Sequence, residues 1–277
     1  MKSGVKRTTG YDIIVLVIMV ILAILFIFPV YWIVTGSFKD AAAINAASPE
    51  WFPKNPTTDN YVRLFAKPAM RWLFNSVFIA LMSMALTCLT AAMAGYALAK
   101  KRFIGRGLLF TFLVCAMALP KQVVLVPLLK EMSFLGLHDN VWAVILPTVG
   151  WPFGVFLMKQ FSETIPTEML EAVRIDGAGE AQTFLTIVLP IVKPGVGALA
   201  IFTFITTWND YFLQLIMLNS SNTLTIALGI AKLQSEMSND FGLIMAGAAL
   251  GAIPIIAIFL MFQKYFTQGI TMGAVKG

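Results

Sequence analysis

Apolar residues run without a charge from Ile13 to Thr35, and further apolar runs, most with one or two charged residues, recur at about 73–98, 107–129, 140–159, 191–218 and 242–266. Each is long enough to cross a bilayer as an α-helix, which takes about 20 residues. A segment surrounded by lipid must satisfy its own backbone polar groups, so helices are the predicted form. The pattern predicts an all-α membrane protein with six transmembrane helices, and an even number of crossings puts both termini on one side. No repeat, low-complexity stretch or soluble module separates the runs, so residues 1–277 read as one transmembrane domain.

Composition agrees. The chain is 58% hydrophobic and 12% charged, with mean hydropathy +0.82, whereas soluble domains carry about 25% charged residues. A soluble core of this size cannot hide so much apolar surface. The net charge of +6 does not point to nucleic acid, because the basic residues flank the apolar runs and form no patch. Lys2, Lys6 and Arg7 imitate the start of a signal peptide, but the run after them is too long for a cleaved segment and carries no small-residue cleavage site, so it reads as an uncleaved first span.

Charge then orients the chain. The N-terminus, the loop KKRFIGR (Lys100 to Arg106), the 159–193 segment and the tail together hold 12 of the 20 basic residues. Cytoplasmic loops carry the excess of Lys and Arg, so the termini are expected in the cytoplasm and segments 36–71 and 219–241 outside. The first of these external segments has four prolines, with Trp51 and Phe52 beside them, and reads as a structured excursion at the membrane interface; the second reads as a solvated turn followed by a short amphipathic helix. Cys88 and Cys115 lie in different apolar runs and read as buried thiols, and His138 is the only histidine, so no catalytic or metal site is expected.

Five of the 14 acidic residues fall between Glu163 and Glu180, on the expected cytoplasmic side. In this stretch Pro166, Glu168 and Glu171 suit the start of a helix. Met169, Leu170 and Val173 make a short apolar stripe, and Gly177 suits a helix stop. A second short helix is expected from Glu180 to Val188, with Pro190 where the chain turns back into lipid. The spacing of Glu171-Ala172, Gly177 and Ile187-x-Leu189-Pro190 matches the pattern E-A-A, three residues, G, nine residues, I-x-L-P, with Val173 in place of the second alanine.

This pattern resembles the signature loop of the membrane subunits of binding-protein-dependent ABC importers. IPTEMLEAVRIDGAG, ALPKQVVLVPL, TTWNDYF and the tail GITMGAVKG are similar to carbohydrate permeases of the maltose-transporter type, in particular the maltose permease G-type subunit. The resemblance implies a coupling helix that docks on an ATPase through Glu171, Ala172, Asp176, Gly177, Ala178, Ile187, Leu189 and Pro190. It also implies a tail (Gly273, Val275, Lys276, Gly277) reaching the ATPase dimer. The implied partners are a second homologous permease, two ABC ATPase subunits and an extracytoplasmic solute-binding protein, in a bacterial cytoplasmic membrane. No cofactor is expected in this chain, which has no G-x-x-x-x-G-K-[ST] phosphate loop; ATP and Mg would belong to the partner ATPases. The implied solute is a sugar or oligosaccharide, with a non-sugar polar solute or a stand-alone secondary transporter as the alternatives.

Candidate pathway residues follow from the cost of polar groups in lipid. Trp208, Asn209, Asp210 and Tyr211 interrupt the fifth run and could offer a solute hydrogen bonds and an aromatic face. Lys121 and Gln122 follow Pro120 in the third, where Lys121 could pair with Asp210, line the path or snorkel to the interface. Pro120 and Pro127 are expected to kink that span.

Overall fold

The computed structural model describes residues 10–236 and 240–274, with side chains to residue 263, and all regular structure among them is helical. Among the described residues, five helical stretches are long and apolar enough to cross a membrane, Trp142–Glu163 being counted as one across its break, or six if one pair bent by 107° is a single span. Contacts divide the chain into two compact units, one of Met1–Lys67 with Ile230–Leu250, the other of Pro68–Gly229 with Gly251–Gly277.

The first unit begins with α1 (Gly10–Gly36), whose most apolar 18-residue window has none of its residues buried. A helix that is apolar on every face suits lipid on every face. Helices α2 (Ala41–Ile44) and α3 (Asp59–Phe65) follow. The segment between them is tied down by polar contacts: the buried Lys39 donates to the Glu50 carbonyl, and Asn60 Nδ2 donates to the carbonyls of Ser37 at 2.9 Å and Lys39 at 2.8 Å. Trp51 packs its ring 5.9 Å from Phe28 and 6.2 Å from Trp32, so the proline-rich stretch is ordered against α1.

The second unit is built round α4 (Ala69–Lys100), which packs most extensively on α8 (Phe153–Glu163) and α11 (Leu189–Trp208). Gly95 makes the approach to α8 possible: a Cβ there would stand 2.6 Å from the backbone of Met158 and Lys159. The unit also contains α5 (Arg106–Met117), α6 (Lys121–Phe134), α7 (Trp142–Val149), α9 (Thr167–Ile175), α10 (Glu180–Thr183) and α12 (Tyr211–Met217). Helices α13 (Ile226–Glu236) and α14 (Phe241–Ala274) contribute residues to both units. The helix expected after the 219 turn is α13, with Ile226, Leu228 and Leu233 buried.

Three of the expected spans are not single helices. The third is two helices, α5 and α6, meeting at 107°, a far sharper change than a proline kink. Proline disfavours helical backbone in the residue before it, and here Pro120 itself is extended (φ −61°, ψ 129°), so the helix ends and a new one starts. The fourth breaks at Gly150–Pro152, between α7 and α8, and the fifth at Asn209–Asp210, between α11 and α12. At Pro190 the expected turn is absent. α10 runs through a π-helical turn, Phe184–Val188, straight into α11, with Pro190 at the second position of α11. A proline lacks the N–H for a helical bond and crowds the preceding turn, and a wider turn before it removes that conflict.

Candidate functional site

α9 lies on the surface with one face held. Leu170 is buried in a cluster with Tyr96, Met158, Ile165, Val188 and Val192, and Val173 is half-buried. Met169, the third residue of the expected stripe, is exposed, as are Glu171, Ala172 and Ile175. The helix stops as the glycine predicts. Gly177 has φ +82°, its N–H donates to the Arg174 carbonyl at 3.0 Å, and the Ala178 N–H reaches back to Val173 at 3.2 Å, the paired bonds of a Schellman cap. Asp176 and Gly177 are exposed and Ala178 is half-buried. Ile187 and Leu189 are half-buried in the helical track behind α9, Ile187 against the Leu170 cluster, and Pro190 is exposed. Gly273 falls within α14, while Val275, Lys276 and Gly277 lie outside the described residues.

The second group of residues meets where helices break. Lys121 begins α6 and Asp210 caps α12, accepting from the Leu213 N–H at 3.3 Å. Lys121 Nζ stands 3.6 Å from Asp210 Oδ2. The two line an open cleft together with Gln122, Thr148, Trp151 and Phe212. Trp151 presents its ring to Lys121 Nζ at 5.0 Å from the centroid. Of the aromatic residues singled out in the sequence, Trp208 is buried and stacked on Phe204 with ring centroids 5.7 Å apart, so its face is taken; Tyr211 is exposed beside Phe212. Asn209 turns its side-chain amide back to the Ile205 carbonyl at 2.9 Å.

Sequence reasoning did not single out Trp151 or Gln214. The Gly150-Trp151-Pro152 triplet was the available signal for Trp151, since it marks a break that turns a side chain out of helical register. Gln214 is buried. Its Nε2 donates at 2.8 Å to the Thr207 carbonyl, which at the α11 break also accepts from the Asp210 N–H at 3.3 Å, and its Oε1 accepts from Thr225 Oγ1 at 2.6 Å. This bond satisfies backbone polarity where the helix ladder stops.

Residues 88–272 match the family model described as binding-protein-dependent transport system inner membrane component. The arabinooligosaccharides transport system permease protein AraQ of Bacillus subtilis (strain 168) is 34% identical over 271 residues, covering 96% of both chains. The maltodextrin transport system permease protein MdxG of the same organism is 35% identical over 264 residues, covering 93% of each. The lactose transport system permease protein LacG of Rhizobium radiobacter is 32% identical over 268 residues, covering 96% of each. A chain of a bacterial ABC transporter involved in the import of the acidic polysaccharide alginate superposes with a TM-score of 0.82 at 22% identity, covering 94% of this chain and 99% of that one. With a family match over most of its length and relatives this similar from end to end, the chain belongs to the inner membrane components of binding-protein-dependent transport systems and is a multi-pass membrane protein.

Proposed function

We propose that this chain is the permease subunit of an ATP-driven importer for neutral oligosaccharides. The observation that carries the proposal is the exposed, glycine-capped α9, fixed by Leu170 on one side and free on the side of Glu171 and Ile175. A short rigid helix presented this way can take a rigid-body displacement from a partner. The named relatives, all sugar permeases, support the solute class. In this reading 1–277 acts as one membrane domain of six spans, the α5–α6 pair counting as one, with both termini and α9 in the cytoplasm. Two ABC ATPases engage α9 and the tail from Gly273 to Gly277, and bind ATP and Mg. A second homologous permease completes the pathway. An extracytoplasmic binding protein delivers the solute; one structural neighbour of the same fold is the bacterial alginate ABC transporter in complex with its alginate pentasaccharide-bound periplasmic protein.

The cleft at Lys121, Gln122 and Asp210 lines the solute path in this reading. Asp210 neutralises Lys121, and Trp151 adds an aromatic face, a combination suited to uncharged polyols. Trp208, Asn209 and Tyr211 flank Asp210 in the chain but are not among the residues that line the cleft.

The test is purification of the chain in mild detergent, followed by reconstitution with whatever accompanies it. A protein with a phosphate-binding loop is expected to copurify, and a mixture of arabino- and malto-oligosaccharides with the binding protein is expected to stimulate ATP hydrolysis. Glu171→Lys should leave insertion intact and remove the stimulation. Uptake that runs on an ion gradient with no ATPase attached would overturn the proposal.

A further inference from the structure

The basic pair that ends α4 does more than mark a membrane side. Lys100 Nζ donates to the carbonyls of Ile165 at 2.6 Å and Glu163 at 3.1 Å, the backbone that leads into α9. Its neighbour Lys101 pairs with the carboxylate of Glu180, the first residue after the turn that leaves α9. Glu180 also accepts from Arg174, in the last turn of α9, at 2.9 Å, and from the hydroxyl of Tyr96 on α4 at 3.5 Å. Two consecutive side chains of one helix end therefore hold both roots of α9, and Arg174 ties the helix itself to the second root.

We infer that Lys100 and Lys101 form a clamp that makes α9 and α4 move as one body, and that both are positioning residues for energy coupling. This rests on the importer reading above. Gly177 and Gly179 follow α9 within four positions and make a natural pivot once the Lys101 anchor is removed. A push on α9 would then be carried into the bundle chiefly by the Leu170 contact, and part of it would be lost in bending the loop. With both roots held, the push reaches α4, and from there α8 and α11, on which α4 packs most extensively. The Lys101–Glu180 pair is partly exposed on both sides, at 26% and 59%, so it adds little to stability. Its removal should be visible in coupling and almost invisible in folding.

The experiment uses the complete reconstituted importer and reads molecules of arabino- or malto-oligosaccharide transported per ATP hydrolysed. Lys101→Met is expected to lower that ratio about two- to fivefold, the scale of a partly exposed ion pair, with copurified ATPase and melting temperature unchanged. Lys100→Met, acting on the other root, should do the same. Lys101→Arg, which can still pair with Glu180, should restore the ratio. An unchanged ratio in Lys101→Met overturns the clamp, as does a fall that tracks loss of bound ATPase or an Arg variant as defective as Met. A wild-type complex that does not hydrolyse ATP in response to the sugars overturns the importer reading itself; a well-coupled wild type with indifferent lysine variants overturns only the clamp.

Discussion

Lys121 and Asp210, 89 positions apart in the sequence, face each other at 3.6 Å across two helix breaks. Each owes its place to an interrupted helix, Lys121 as the first residue after Pro120 and Asp210 as the cap of α12. The pair thus joins the bend between α5 and α6 to the break between α11 and α12.

Asp210→Asn isolates the charge, because asparagine still caps α12 as well as aspartate does. It leaves Lys121 without its counter-charge, and a destabilisation of about 1 kcal/mol is expected for a partly exposed pair. The double variant with Lys121→Gln should be more stable than Asp210→Asn alone, since no uncompensated charge remains. Thermal unfolding of the detergent-solubilised protein orders the three; a double variant less stable than the single would sink the argument.

Gly95 and Gly107 make a matched comparison. Gly95→Ala drives a Cβ to 2.6 Å from the α8 backbone, whereas nothing lies within 4 Å of a Cβ at Gly107. The first should cost about 1–3 kcal/mol through overpacking. The second, within helix α5, should add about 0.5–1 kcal/mol. Opposite shifts in melting temperature are the expected result.

Asp139 has φ +53° and accepts from the N–H groups of Asn219, at 2.8 Å, and Ser220, and from the Thr223 hydroxyl. Burial raises its pKa, but these bonds outweigh it and hold the carboxyl at about 2. A depressed pKa means a contribution fully present above about 3.9, the ordinary aspartate value, and lost as pH falls towards 2. No change from this group is expected between pH 5 and 8. Asp139→Ala should expose the 219–223 turn to proteolysis at neutral pH, and Asp139→Asn, which tolerates positive φ, should do so less. Equal protection in all three proteins would argue against the role.

Gly177 has φ +82° and open space round it, so the cost of a side chain is backbone strain alone. Gly177→Val should destabilise the cap of α9 by about 1–2 kcal/mol, and Gly177→Asn by less. Amide hydrogen exchange at Ala178, whose N–H closes the cap, is the sensitive measurement. Exchange should rise in the order Gly, Asn, Val.

What could be read from the sequence followed range and chemistry. The runs of apolar residues become helices because hydrogen bonds inside a span are local: α1 and α4 begin and end within a few residues of the expected limits, and α14 begins where expected but runs eight residues past the expected end. The stop at Gly177 was readable for the same reason: a left-handed residue is a property of one position. The triplet round Trp151 marks a break but not the ring's partner, Lys121, which lies 30 positions away; Gln214 matters through Thr207 and Thr225 on the other sides of two helix ends, a pairing that the chain's turns and not a helical period bring about.

The sequence by itself determined that this is a helical membrane protein, with a family signature between Glu171 and Pro190, since hydropathy and motif spacing depend only on nearby residues. Only the tertiary structure decided that α5 and α6 meet at 107°, that Lys121 meets Asp210, and that Lys100 and Lys101 hold the two roots of α9. Those outcomes depend on which distant side chains come within a few ångströms once the helices pack, and no local pattern of residues encodes that distance.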